Sequence, residues 1–110
     1  MVPGYELYLM AIDPNLIGRW IHSLEEDSSE NKTYRRIKPS DDINIVDAIE
    51  LKTNGEFVRY TKPNQGNLES HEGHYQIFNN TIIVNFDNPY EDFIIKIVSL
   101  DRDKLQVRKL

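Results

Sequence analysis

The chain has 110 residues, enough for one domain with a modest core, and we expect that domain to span 1–110. Lys and Arg number 13 against 18 Asp and Glu, and the net charge of −5 argues against nucleic acid as a partner, because phosphate binding needs a basic face. There is no cysteine, which excludes a disulfide scaffold, a thiol nucleophile and a thiolate metal site.

The first apolar run of the sequence, Tyr5–Ile12, does not have the pattern of a targeting signal. Glu6 interrupts it, no Lys or Arg precedes it, and no small-residue cleavage site follows it. The chain also has no run approaching the roughly 20 apolar residues that a membrane helix needs. We therefore expect a cytoplasmic protein that has no membrane partner.

The first half of the chain alternates short apolar-patterned segments with turn residues, which is typical of β-strands. The predicted strands are, in order, Tyr5–Ile12, Leu16–Leu24, Lys32–Lys38 and Val46–Lys52. The segment Ser40–Leu51 also has spacing compatible with a short helix. A strand from Asp47 is favoured, because the Asn54-Gly55 turn that follows needs a partner on its N-terminal side.

The second half of the chain reads as a series of hairpins around tight turns. Asn54-Gly55 and Asn79-Asn80 are turn sequences of the kind that joins adjacent antiparallel strands. The polar segment Lys62–Ser70 is predicted to be a loop. The remaining predicted strands are Glu56–Thr61, His74–Phe78, Thr81–Phe86, Asp92–Leu100 and Leu105–Leu110. Together the strands predict an all-β fold, a small antiparallel up-and-down barrel of about eight strands, whose closure removes exposed edges.

The last strands carry apolar residues on both faces. In the segment Asp92–Leu100, one face holds Phe93, Ile95 and Ile97, and the other holds Ile94, Lys96 and Val98. One face must line the barrel interior, so the other needs a cover of its own. We expect the Tyr5–Ile12 strand to provide it in a monomer, with a homodimer as the second possibility.

A Gly-x-Trp motif, Gly18-Arg19-Trp20, lies near the start of the second predicted strand. Glycine removes a side chain where a barrel strand bends or a ring lies over the backbone. Tryptophan brings a large apolar surface and an N–H that needs a partner. This motif, ahead of a hairpin meander, resembles the lipocalin-like, or calycin, group of small β-barrels. The resemblance implies that Gly18 and Trp20 close one end of the barrel, with Arg108 of the last strand packed over the indole.

The resemblance also implies a non-enzymatic barrel that binds a small hydrophobic or amphipathic molecule and needs no cofactor. We expect the ligand to enter the barrel mouth, near Tyr34, Tyr60 and Tyr75. Arg59 is the fourth candidate ligand-binding residue, since tyrosines beside an arginine suit an amphipathic or anionic molecule. The simpler interpretation is that these tyrosines lie at the rim of the core with one end in water.

A protein-interaction module is the alternative function class. The chain is similar in length to staphostatins, small bacterial inhibitors of cysteine proteases, which also have a lipocalin-like barrel with a Gly-x-Trp strand after an N-terminal strand. That similarity implies a protease as the partner. Staphostatins insert an exposed, glycine-containing loop into the protease cleft, and the candidate loop here is Lys62–Ser70 with Gly66. Their inhibitory motif is not recognisable in this chain, so the similarity is one of chain length and architecture, not of the inhibitory site.

Motifs for catalysis or metal binding are weak. His71 and His74 are three residues apart and would point to opposite faces of a strand, which favours surface histidines over a metal site. The acidic segment 25–30 lacks the alternating ligands and central glycine of a calcium loop. No Gly-x-Ser-x-Gly nucleophile motif occurs. We therefore expect neither an enzyme nor a metalloprotein.

Overall fold

The computed structural model describes residues 13–37, 47–62, 66–88, 90 and 92–110. The strands within them are β1 (Gly18–His22), β2 (Lys32–Arg36), β3 (Asp47–Leu51), β4 (Glu56–Thr61), β5 (Glu69–Phe78), β6 (Thr81–Phe86), β7 (Phe93–Leu100) and β8 (Lys104–Lys109). Short 3-10 turns, Pro14–Leu16 and Leu24–Glu26, lie on either side of β1. No helix in these ranges is long and apolar enough to span a membrane.

The strands form a closed antiparallel barrel, as the sequence predicts. The order around the ring is β1-β2-β8-β7-β6-β5-β4-β3, with β3 returning to β1. From β3 to β8 each strand pairs with the next one in the chain, as in an up-and-down meander. The first hairpin departs from that order, because β1 lies between β2 and β3. Closure gives every strand two hydrogen-bonded neighbours, which removes exposed sheet edges.

The strand bounds agree with the sequence pattern where apolar alternation is strong. β4 and β6 have the predicted bounds, whereas β5 begins at Glu69 rather than at His74. The polar residues at the start of β5 are held there by pairing with β4, where Thr61 lies opposite Glu69. The predicted loop is correspondingly shorter at its C-terminal end, and its residues 63–65 lie outside the described part of the chain, as does the predicted Tyr5–Ile12 strand.

The two predicted hairpin turns use different chemistry. Asn79 and Asn80 have φ values of 49° and 62°, the left-handed backbone of a type I′ turn between β5 and β6. In the other turn only Gly55 has a positive φ, of 88°. Asn54 acts there through its side chain, whose Oδ1 accepts a hydrogen bond from the Glu56 amide at 3.0 Å.

Alternation along the strands fills the barrel with apolar side chains. The buried interior cluster consists of Leu16, Trp20, Tyr34, Ile49, Leu51, Phe57, Tyr75, Ile82, Val84, Phe93, Ile95, Leu105 and Val107. On β7 the face of Phe93 and Ile95 is the inward one, since Ile94 and Val98 on the other face are 37% and 42% exposed. These two residues show that the outer surface of β7 remains accessible.

Candidate functional site

The two ends of the barrel differ in chemistry because the antiparallel register groups unlike residues at each end. At one end Gly18 pairs with Leu51, and Trp20 pairs with Arg36 and Ile49. At the other end lie His22 and the first residues of β2 and β3, Lys32 and Asp47. We call the Trp20 end the closed end and the His22 end the open end.

Trp20 fills the closed end. Its side chain is fully buried, and its Nε1 donates a hydrogen bond to the Leu16 carbonyl at 3.0 Å. The guanidinium carbon of Arg36 lies 4.2 Å from the centre of the indole ring. The indole therefore has a partner for its polar N–H and a cation over its face, the two contacts that a buried tryptophan can use.

Gly18 makes room for the arginine that covers the indole. Its φ of +133° lies in the region that side chains rarely adopt, and a Cβ at this position would stand 2.5 Å from Nη1 of Arg36. That same Nη1 donates to the Ile17 carbonyl at 2.8 Å, while Nη2 donates to the Asn15 carbonyl. The Gly-x-Trp motif thus admits a guanidinium between the strand and the ring.

Arg108 is not the arginine at the closed end, contrary to the sequence prediction. Because Leu105 and Val107 point inward on β8, Arg108 points outward. Its guanidinium reaches the loop before β2, donating to Asn31 Oδ1 and pairing with Glu30, each at 3.3 Å. Arg36 takes the predicted role because β2 lies directly beside β1, whereas β8 is one strand further away.

Replacing Arg36 by glutamine is expected to lower the free energy of unfolding by about 2 kcal/mol, through loss of the contact with the indole and of hydrogen bonds to carbonyls. Arg108→Gln is the matched control, and an exposed pair of this kind contributes at most about 1 kcal/mol. Urea unfolding followed by circular dichroism measures both. Equal effects of the two variants would contradict the assignment of Arg36 to the closed end.

The open end contains a cavity of about 90 Å³. Its lining residues are Lys32 and Tyr34 of β2, Arg59 of β4, Phe93 and Ile95 of β7, and Val107 and Lys109 of β8. Deeper in the barrel the interior is occupied by the buried apolar cluster. The cavity is therefore a small pocket with an apolar wall and three cationic groups, rather than a deep calyx.

Asp47 forms ion pairs with two of the cationic residues that line the cavity. Its Oδ2 lies 2.9 Å from Lys32 Nζ and 3.7 Å from His22 Nδ1, and its Oδ1 lies 3.7 Å from Arg59 Nε. The Arg59 and Asp47 side chains are 15% and 18% exposed, so this pair is weakly screened by solvent. One carboxylate thus contacts three basic side chains beside the cavity.

Asp27 contacts the ring nitrogen of His22 that faces away from Asp47. The imidazole Nε2 lies 2.8 Å from Asp27 Oδ2, and Asp27 Oδ1 accepts a hydrogen bond from the Thr33 amide at 2.8 Å. Burial acts to raise the pKa of Asp27, but the hydrogen bonds from Thr33 and His22 outweigh it and the net pKa is lowered. Asp27 therefore remains ionised and fixes the orientation of the His22 ring.

Aromatic rings form the wall of the pocket and part of its rim. Phe93 packs against Phe57 with ring centres 5.4 Å apart, and the Arg59 guanidinium carbon lies 5.1 Å from the Phe93 ring centre. At the rim, Tyr90 stacks on His71 at 3.7 Å. The arginine is thus placed over an aromatic face as well as beside a carboxylate.

A family model described as a lipocalin-like domain matches residues 16–107, which is most of the chain. The chain belongs to the lipocalin-like domain family. A solved structure of a lipocalin-like protein from Bacteroides uniformis has a similar fold, with a TM-score of 0.51 and 14% sequence identity over 87% of this chain and 99% of that one. No curated protein matches the sequence.

Tyr34 and Arg59 line the cavity of this lipocalin-like barrel, whereas Tyr60 and Tyr75 are not among the described residues that line it. Tyr60 neighbours the inward Arg59 and so points outward, where its hydroxyl donates to Glu50 Oε1 at 2.9 Å. Tyr75 lies toward the closed end and donates to the Lys52 carbonyl at 2.7 Å. Burial, with the Asp47 charge nearby, raises the pKa of the Tyr34 hydroxyl.

The lining residues that the sequence analysis missed follow strand alternation. Lys32 lies two positions before Tyr34 on β2, and Lys109 lies two positions after Val107 on β8, so each shares the inward face. Asp47, the ion-pair partner of Lys32, heads the inward series of β3. Extending the inward phase past the last apolar residue of each strand would have identified these charged groups.

His71 and His74 point to opposite faces of β5, as the spacing predicts. His71 stacks on Tyr90, while His74 is exposed and lies 3.5 Å from Asp87. A second recess, of about 190 Å³, lies on this side of the open end and is lined by Ser70, His71, Glu72, Phe86, Asp87 and Asn88. In the described part of the chain no three His, Asp or Glu side chains group as metal ligands.

Glu26, in the 3-10 turn after β1, is expected to give a stability contribution that is lost in acid. Hydrogen bonds from Arg35 and then Ser23 lower the pKa of Glu26 from 4.5 to about 2. A lowered carboxyl pKa stabilises the fold above the usual pKa, and the contribution disappears as the pH falls through the lowered value. The stability difference between the wild type and Glu26→Gln should therefore shrink from pH 4.5 toward pH 2.

Urea midpoints of both proteins across that pH range measure the effect. Glu25→Gln, a change at the exposed neighbouring residue, is the control and should leave stability unchanged. A Glu26→Gln difference that stayed constant down to pH 2 would contradict the ion pair with Arg35.

Proposed function

We propose that this lipocalin-like barrel binds a small amphipathic ligand at its open end and does so without catalysing a reaction. The observation that carries the proposal is the cavity of about 90 Å³, in which apolar side chains of β7 and β8 face Lys32, Arg59 and Lys109. A concave apolar site with a few convergent polar groups is the usual form of a small-molecule site.

The cavity volume limits the ligand. Pockets for drug-sized molecules measure roughly 300–1,000 Å³, several times the volume here. The buried cluster that includes Phe57 and Ile49 closes the barrel below the pocket. A short apolar group therefore fits against Ile95 and Val107, while the polar part of the ligand stays near the lysines at the rim.

The residues that line the pocket favour ligand binding without catalysis. The seven described lining residues include no serine, threonine, histidine or carboxylate. A hydrolytic site needs a nucleophile with a base, or a pair of carboxylates, facing the bound molecule. The groups present are suited to holding an apolar tail and a polar head.

A titration with hexanoate, followed through the backbone amide signals in NMR spectra, tests the proposal. We expect shifts concentrated around Tyr34, Phe93 and Val107. Ile95→Phe should fill the pocket and weaken binding about tenfold or more, because extra volume in a packed site displaces the ligand. Ile94→Phe, on the outer face of the same strand, is the matched control and should bind as the wild type does.

Unchanged binding by Ile95→Phe would overturn the placement of the ligand in this pocket. Shifts confined to the 190 Å³ recess around Asp87 would do the same. The amide spectrum of each variant, recorded without ligand, shows whether the barrel is intact.

Interaction with a protease through the 62–70 segment is a second proposed function. It is supported by Leu68, an apolar side chain next to β5 that is 48% exposed. Inhibition of a papain-like cysteine protease by the wild type, and its loss in Leu68→Asp, is the expected result. Absence of inhibition at a large excess of the protein would contradict this function.

A further inference from the structure

We infer that the head group bound at the open end is a carboxylate, and that Asp47 is the residue that sets the affinity for it. This inference rests on the proposed function, since it names the ligand class of the same pocket. It is carried by one juxtaposition: an internal carboxylate is already seated against two of the three cations that line the cavity.

The described charged residues that line the pocket are all cationic. Lys32, Arg59 and Lys109 line the cavity, and Asp47 contacts the first two of them. Lys109 forms no ion pair with any residue that the structure describes. Asp27, a further carboxylate, hydrogen-bonds to His22 and to the Thr33 amide, and its charge also interacts with Lys32. Among the described lining residues, the Lys109 ammonium is therefore the group that an anionic head group would neutralise.

A carboxylate is the anion that these cations already contact, in the form of Asp47. A guanidinium matches the planar carboxylate with parallel donors, and an ammonium adds a point charge beside it. Asp47 shows that this environment accommodates a carboxylate between Lys32 and Arg59. The Arg59 guanidinium also lies over the Phe93 ring, 5.1 Å from its centre, so an apolar tail and the head group can be contacted together.

Asp47 and the head group compete for the same partners. A bound carboxylate near Lys32 and Arg59 is repelled by the Asp47 charge and shares its cations. Asp47 therefore weakens the binding of anions and discriminates between them and neutral ligands of the same shape. Neutralising Asp47 is expected to tighten carboxylate binding, whereas a merely structural role would weaken binding or leave it unchanged.

The test compares hexanoate with hexanamide, which has the same shape and no charge, by amide-signal titration of four proteins. In the wild type we expect hexanoate to bind about tenfold more tightly than hexanamide. Asp47→Asn should tighten hexanoate binding by about threefold or more and leave hexanamide unchanged. Lys109→Gln should weaken only hexanoate, and Lys96→Gln, on the outer face of β7, should change neither.

The outcomes separate this inference from the proposed function. Equal affinities for hexanoate and hexanamide would leave the pocket as a binding site and overturn the carboxylate assignment. Weaker or unchanged hexanoate binding in a folded Asp47→Asn protein would overturn the role of Asp47. If that variant does not fold, the Lys109→Gln comparison decides whether charge selects the ligand. If the wild type binds neither compound at millimolar concentration, the proposed function and this inference both fail.

Discussion

Truncation of Trp20 to alanine is expected to lower the free energy of unfolding by about 3–5 kcal/mol, the usual cost of removing a large buried aromatic side chain. The indole is fully buried at the closed end, and its removal also takes away its hydrogen bond to the Leu16 carbonyl and its contact with the Arg36 guanidinium. Urea unfolding followed by far-ultraviolet circular dichroism is the appropriate measurement, because the variant has no tryptophan fluorescence.

A matched control for this variant is Leu24→Ala. Leu24 is also apolar but is 74% exposed, so its truncation should change stability by no more than about 0.5 kcal/mol. A loss well under about 1 kcal/mol for Trp20→Ala would show that the closed end does not depend on the indole.

Replacing Gly73 by alanine is the second change for which we expect a large effect, a loss of about 3 kcal/mol or more. A Cβ on Gly73 would lie 2.3 Å from the Asn85 carbonyl oxygen and 2.7 Å from the Phe86 Cα, so it would meet the backbone of β6. Backbone cannot rotate away as a flexible side chain can, and the β5–β6 pairing would have to open locally.

The neighbouring exposed residue provides the control for this prediction. Glu72→Ala lies one position earlier on the same strand and should change stability by no more than about 0.5 kcal/mol. Thermal and urea unfolding of the two variants can be compared directly. A Gly73→Ala protein as stable as Glu72→Ala would show that β5 and β6 separate easily at this point.

The barrel itself was predictable because its signals are local. The turn residues Asn79-Asn80 and the alternation in Thr81–Phe86 specify a hairpin without reference to the rest of the chain. The start of β5 was missed for the opposite reason, since Glu69 and Ser70 have little strand propensity and are placed by pairing with β4. Tertiary context overrode the local preference there.

The site was predictable only in part. The prediction of Tyr34 and Arg59 rests on residue type, since tyrosine and arginine can both contact an amphipathic ligand. The same criterion selects Tyr60, although strand alternation places its neighbour Arg59 on the inward face and Tyr60 on the outer one. A residue type carries no information about which face it occupies unless the phase of the strand is applied to charged residues as well. That step identifies Lys32 and Lys109.

Apart from the start of β5, the sequence alone determined the strands, the tight turns and the Gly-x-Trp position, because backbone preference and period-two alternation act within a few residues. Only the tertiary structure decided which arginine covers Trp20, because β8 and β2 are both candidates until the ring order places β2 beside β1. It also decided that Asp47 and Arg59 meet. These charges lie on separate strands, and the register of a closed barrel, which depends on all the strands at once, brings them together.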